Sequence, residues 1–166
     1  MLAVAETARS EGAAFQARLL EDGVVDDADR EDAFQAFRTC ATDGGLVVSD
    51  PTLSPIDGLT YFYSVDAGQL AAGAANRVQA SCFDSNFSYV SAYYVGTHEP
   101  VMDGAVMAMS AQCMNDADEE TRGDESNLLQ LVNDPADTER VTIATDCVSD
   151  AVRELHPEIT EFAISF

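Results

Sequence analysis

The 166-residue sequence predicts a mainly α fold: a disulfide-stapled helical domain of two pseudo-repeats with a minor β element. Three observations predict it. Apolar residues recur at helical spacing through most of the chain. Four cysteines, at positions 40, 82, 113 and 147, fall in or beside those periodic segments and form no C-x-x-C pair. One short run, Thr60-Tyr-Phe-Tyr-Ser-Val65, is aromatic and β-branched and reads as a strand. The length suits a single domain over 1–166, with pseudo-repeats at about 26–98 and 101–157. A chain near this size hides roughly 70% of its unfolded surface, so a real core is expected.

Residues 2–20 predict a first helix, with Val4, Ala8, Phe15 and Leu19 near one face, weakened at Gly12. The acidic cluster of Asp26, Asp27, Asp29, Glu31 and Asp32 opens the best-specified helix. Carboxylates there accept from unpaired amides and oppose the positive end of the dipole. Ala33, Phe34, Phe37, Cys40 and Ala41 form its buried stripe, and Gly44-Gly45 supplies a left-handed exit. Residues 46–60 carry the turn signals Asp50-Pro51, Ser54-Pro55 and Asp57-Gly58. After the strand, Asp66 is expected to cap a helix through Leu70, Ala74 and Val78, with Cys82 where that helix passes into another. Asp84 or Ser85 is expected to cap the second helix, which carries Phe87, Val90 and Tyr94.

The second unit starts at Asp103, with Met102, Val106, Met109 and Cys113 as its stripe. Residues 115–125 are polar and acidic and read as a loop. Ser126 is expected to cap a short helical turn through Leu128 and Leu131. Asp137 or Thr138 opens the last long helix, through Val141, Ala144, Val148, Val152 and Leu155, and Pro157 stops it. Ile159 to Phe166 reads either as a final strand beside Tyr61–Val65 or as a tail packed on the core.

Thirty acidic residues oppose eight arginines and no lysine, for a formal net charge of −22. Phosphate recognition needs clustered Lys and Arg, so nucleic acid and anionic membrane surfaces are not expected partners. Three readings of the acidity stand: a solvated surface that keeps a secreted protein soluble, a high-salt compositional bias, and a face for a cation or basic partner. No apolar run approaches membrane-spanning length. The start, Met1-Leu-Ala-Val-Ala-Glu-Thr-Ala-Arg9, is too quickly charged for a signal peptide. An exported protein would then have its leader or lipid anchor upstream.

An even cysteine count without metal-ligand spacing favours two structural disulfides in an oxidising compartment; the alternative is four reduced core cysteines in a cytosolic protein. The simplest pairing is Cys40–Cys82 and Cys113–Cys147, although four cysteines permit three connectivities.

The run from Leu20 to Gly45, LEDGVVDDADREDAFQAFRTCATDGG, is similar to a pattern in uncharacterised secreted proteins and lipoproteins of GC-rich Gram-positive bacteria. There a DG-V-T-x-x-E-Y-x-x-A helix start leads to a cysteine and a glycine. The Cys82 helix with Val90 and Tyr94 resembles that family's later cysteine helix. This chain departs in having Arg30 and Glu31 where Glu-Tyr would stand, and in its second cysteine unit. The resemblance implies export, either as a free secreted protein or with a membrane anchor. It carries no activity, so no functional residue transfers.

Most familiar chemistry is rejected on spacing. With Gly23 at the sixth position of a calcium loop, the first and third ligands would be Arg18 and Leu20, which cannot bind calcium. Asp116, Asp118 and Glu120 alternate oxygen ligands and form a weak calcium candidate, but the loop glycine is missing. His98 and His156 each sit beside a proline and a glutamate at a predicted helix end, a common surface position. There is no G-x-S-x-G nucleophile, and the glycines at 68 and 73 lack the lysine and threonine of a phosphate loop. Tyr61, Tyr63, Tyr89, Tyr93 and Tyr94 are expected at the core or its edge, or as a binding surface. No catalytic residue and no cofactor is assigned. The function expected is a non-enzymatic extracytoplasmic binding or interaction module, secreted or cell-surface attached, whose partner is a protein or cell-surface ligand. The alternatives are a small secreted enzyme with an unrecognised site and an acidic inhibitor or decoy of a basic partner.

Overall fold

The computed structural model describes residues 2–160, 162 and 164. In chain order the elements are α1 (Leu2–Ser10), α2 (Ala14–Leu19), α3 (Asp27–Asp43), β1 (Val47–Val48), β2 (Thr52–Leu53), β3 (Tyr61–Phe62), β4 (Val65–Asp66), α4 (Ala72–Asn86), α5 (Ser88–Thr97), α6 (Gly104–Asp116), α7 (Leu128–Val132) and α8 (Thr138–Leu155). The fold is mainly helical with a minor β element and two disulfides. It divides into two compact units: Met1–Thr52 with Tyr63–His98, and Leu53–Phe62 with Glu99–Phe166.

In the first unit, the helix expected over 2–20 is two helices. Gly12 takes φ +89, a left-handed conformation that interrupts the ladder. Helix α3 begins with a reciprocal capping box: Asp26 accepts from the Asp29 N–H at 3.0 Å, and Asp29 accepts from the Asp26 N–H at 3.2 Å. Its C-terminus closes with the Leu46 N–H on the Ala41 carbonyl and the Gly45 N–H on the Thr42 carbonyl. The two glycines do different work. Gly45 supplies φ +92, while a Cβ on Gly44 would sit 2.3 Å from the Val78 side chain, so Gly44 lets α3 approach α4. The Cys40–Cys82 disulfide joins the same two helices, with Cα atoms 5.6 Å apart.

Five rings fill the space beside this staple. Phe34 packs against Phe37, Phe87 and Tyr63 at centroid distances of 5.8, 5.4 and 5.1 Å. Phe83 meets Phe37 and Phe87 at 5.9 and 5.7 Å. Most of these contacts are tilted or edge-to-face, the arrangements that ring quadrupoles favour.

Two capping expectations fail here. Asp66 lies in β4 and accepts from the Gly68 N–H instead of starting a helix; α4 begins at Ala72 with no side-chain cap. Helix α4 then runs through Cys82 to Asn86, and neither Asp84 nor Ser85 caps α5. Gln16, fully buried on α2, does so from a distance. Its Oε1 accepts from the Tyr89 and Val90 N–H groups at 2.7 and 3.1 Å, and its Nε2 donates to the Asp84 carbonyl at 2.7 Å.

The expected strand Tyr61–Val65 is split between two ladders. Tyr61–Phe62 pairs with β2, and Val65–Asp66 pairs antiparallel with β1, with Val48 opposite Val65. Residues 46–60, expected as loop, supply both partner strands.

In the second unit, α6 and α8 pack along their lengths and are tied by Cys113–Cys147, with Cα atoms 5.7 Å apart. Val106, Met114, Leu131, Val132, Val148 and Val152 are buried in their shared core. Each of the two disulfides stabilises by about 4 kcal/mol through lost chain entropy in the unfolded state. Helix α7 is capped by Asn127, not by the expected Ser126; the Ser126 N–H donates to Gln130, whose own N–H meets Asn127. Asp103 and Asp137 cap α6 and α8. Phe162 and Ile164 pack against the core of this unit, as the tail expectation has it; residues 161, 163, 165 and 166 lie outside the described residues.

Candidate functional site

Helix α4 carries Asn76, Gln79, Ala80 and Phe83 at i, i+3, i+4 and i+7, so they share one side. Together with Asp84 and with Tyr63, from the segment between β3 and β4, they line a pocket of about 390 Å³. Its apolar part belongs to the ring cluster of the first unit. Tyr63 is held by Phe34 and by Phe37, the latter at 5.5 Å, and Phe83 is held by Phe37 and Phe87. Burial raises the Tyr63 phenol above its ordinary pKa. Ala80 sits among longer neighbours and leaves the hollow. Among the described residues, the carboxamides of Asn76 and Gln79, the Asp84 carboxylate and the Tyr63 hydroxyl make no side-chain hydrogen bond within the chain.

The three tyrosines of α5 differ from Tyr63 in this respect. Tyr89 donates to Glu11, Tyr93 to the Gly23 carbonyl and Tyr94 to Asp27. Asp27 also accepts from Arg30 at 2.9 Å, and the Arg30 guanidinium lies 4.1 Å from the Tyr94 ring centroid. His98 stacks on Tyr94 at 3.9 Å. Two planar groups this close to one ring centre cannot share a face, so Arg30, Tyr94 and His98 form a three-layer stack. His98 Nδ1 lies 2.9 Å from the Tyr94 carbonyl, which can only accept, so this nitrogen carries the proton. Burial first, then the hydrogen bond to Asp27, raises the Tyr94 phenol, against the lowering effect of Arg30. These tyrosines and His98 are engaged in structure.

A second pocket of about 460 Å³ lies in the other unit, with Val101, Met102, Met107 and Ala111 on one side and Glu125 on another. The Glu125 side chain is only 3% exposed. Burial pushes its carboxyl up, but the N–H groups of Arg122 and Gly123, at 2.7 and 2.9 Å, pull harder and hold it below the usual range.

Asp116 ends α6, Asp118 takes φ +63 just beyond it, and Glu120 lies in the following loop. Among the described residues no three or more His, Cys, Asp or Glu side chains gather as metal ligands. The neighbouring Glu119 instead pairs with Arg140. His156 lies 3.3 Å from Glu158 at the end of α8.

Of the α4 pocket, sequence reasoning singled out Tyr63 and missed Asn76, Gln79, Ala80, Phe83 and Asp84. The available signal was two carboxamides three apart on the exposed side of a helix, one turn before an aromatic. No family model matches the chain, and neither the curated proteins nor the solved structures match it.

Proposed function

We propose that this protein is a non-enzymatic extracytoplasmic binding module, secreted or held at the cell surface, and that the α4 pocket is where it takes its ligand. The observation that carries this reading is the contrast inside one unit. A ring floor locked into the core carries four polar groups with no partner among the described residues, while Tyr89, Tyr93 and Tyr94 of the same unit each donate a hydrogen bond. Ligand sites are mostly apolar concavities with a few placed polar groups, and this pocket lies near the lower end of their size range, roughly 300–1,000 Å³. All four cysteines are paired, which suits an oxidising compartment.

Co-sedimentation with cell envelopes of the source organism tests it. The intact protein should pellet with the envelopes, and Ala80→Trp, which fills the hollow, should stay in the supernatant. Equal behaviour of the two proteins would refute the assignment of the pocket. Four free thiols in protein isolated from its own host would refute the compartment.

A second reading, an acidic inhibitor of a basic partner, is favoured by charge. Arg9, Arg30, Arg38, Arg122, Arg140 and Arg153 each pair with a carboxylate of the chain, which leaves the excess acid facing outward. Binding of that kind would weaken steeply with salt.

A further inference from the structure

We infer that the α4 pocket is a subsite for a neutral saccharide, an inference that rests on the binding-module reading above. The two rings come first. Tyr63 and Phe83 are fixed from behind by Phe34, Phe37 and Phe87, so their surfaces are formed before any ligand arrives. The face of an aromatic ring is negative, and the C–H face of a pyranose is weakly positive and similarly flat, so the two stack.

The polar groups then select among ligands. Asn76 and Gln79 each offer two donors and an acceptor, Asp84 offers acceptors, and Tyr63 offers a hydroxyl of either role. A sugar hydroxyl donates and accepts at once, so a ring bearing several of them matches this mixed set. A simple cation would satisfy Asp84 but leave the carboxamide N–H groups without acceptors. An anion would meet Asp84 and a chain of net charge −22. A wholly apolar ligand would cover the carboxamides without replacing their water, at a desolvation cost.

The helix supports the same conclusion. Asn76, Gln79 and Phe83 keep a fixed spacing because they share one side of α4, and the Cys40–Cys82 bridge anchors that helix immediately beside Phe83. A subsite pre-formed in this way loses little side-chain entropy on binding. One small pocket with an open rim implies weak binding, with a dissociation constant on the order of 1 mM, and recognition of the end of a glycan.

Titration of the ¹⁵N-labelled, disulfide-intact protein with neutral disaccharides tests this, using cellobiose, maltose, mannobiose and diacetylchitobiose. At least one should produce saturable shifts in the side-chain amide signals of Asn76 and Gln79. Ala80→Trp should abolish those shifts, and Asn76→Ala with Gln79→Ala should weaken binding at least tenfold, with the remaining spectrum unchanged in both. Silence with every sugar, or saturation that Ala80→Trp leaves intact, overturns the saccharide assignment. Tetralysine and phenol serve as parallel probes. If either moves the pocket amides while no sugar does, the saccharide class falls and the binding module stands. If sugars, tetralysine and phenol all leave those amides unmoved, both fall.

Discussion

Arg140 shows how much one side chain can organise. Its Nε donates to the Val132 carbonyl at 2.8 Å, and its Nη2 reaches the Leu131 and Glu120 carbonyls at 3.1 and 2.9 Å. Its Nη1 pairs with Glu119. One planar fork thus satisfies the last turn of α7 and holds the acidic loop over it. Lysine has the charge but not the fork, so Arg140→Lys should cost about 2 kcal/mol in urea unfolding, since the part-buried Leu131 and Val132 carbonyls lose their donors. A loss below about 0.5 kcal/mol, the range of an ordinary surface change, would refute this account. Glu125 makes a pH prediction. Its folded pKa is depressed, so its stabilisation is complete above the unfolded value of about 4.3 and disappears as pH falls through the lower folded value. Between about pH 5 and pH 3 the protein should lose more stability than Glu125→Gln does, as followed by circular dichroism. Parallel losses would show that other carboxylates carry the acid transition.

Among the elements, α5 depends on a residue far away in sequence. Its first turn has no cap of its own, because Phe87 has no side-chain oxygen. Gln16 closes two of the orphan amides and also the Asp84 carbonyl at the end of α4. Gln16→Ala should therefore cost about 3 kcal/mol, since one buried and two part-buried groups lose partners. The Tyr89 and Val90 amides should exchange faster than those of α3. Unchanged protection of those two amides would mean that the turn is held by packing alone. By contrast, α3, α6 and α8 carry their own caps in Asp26, Asp103 and Asp137 and would start in the same places without help.

Over the whole molecule, the charge works against compactness. Six of the eight arginines pair with carboxylates of the chain, and the surplus carboxylates repel one another through solvent. Salt shortens the screening length from about 10 Å at 0.1 M to about 3 Å at 1 M. Raising sodium chloride across that range should lift the melting temperature by about 3–6 °C, with the disulfides intact. A flat response would mean that the carboxylates lie too far apart to strain the fold. The bridges work in the opposite direction: two contributions of about 4 kcal/mol are large beside a typical total stability of about 5–15 kcal/mol.

Features that depend on neighbours in sequence were legible without a structure. The mainly helical class, the start of α3 at Asp26, its end at Gly44-Gly45 and its stripe of Phe34 and Phe37 follow from local capping, backbone freedom and periodicity. The cysteine spacing named Cys40–Cys82 and Cys113–Cys147 as the simplest of three pairings, but only the packing of α3 on α4 and of α6 on α8 decides which sulfurs meet. The remote cap by Gln16, the clamp of Arg140 and the division of Tyr61–Val65 between two ladders each depend on distant partners, and a single sequence does not encode which distant residues meet in readable form. The α4 pocket is of this second kind. Asn76 and Gln79 read as ordinary exposed helix residues until the ring cluster places Tyr63 and Phe83 beside them, because a binding surface is a property of what the fold brings together.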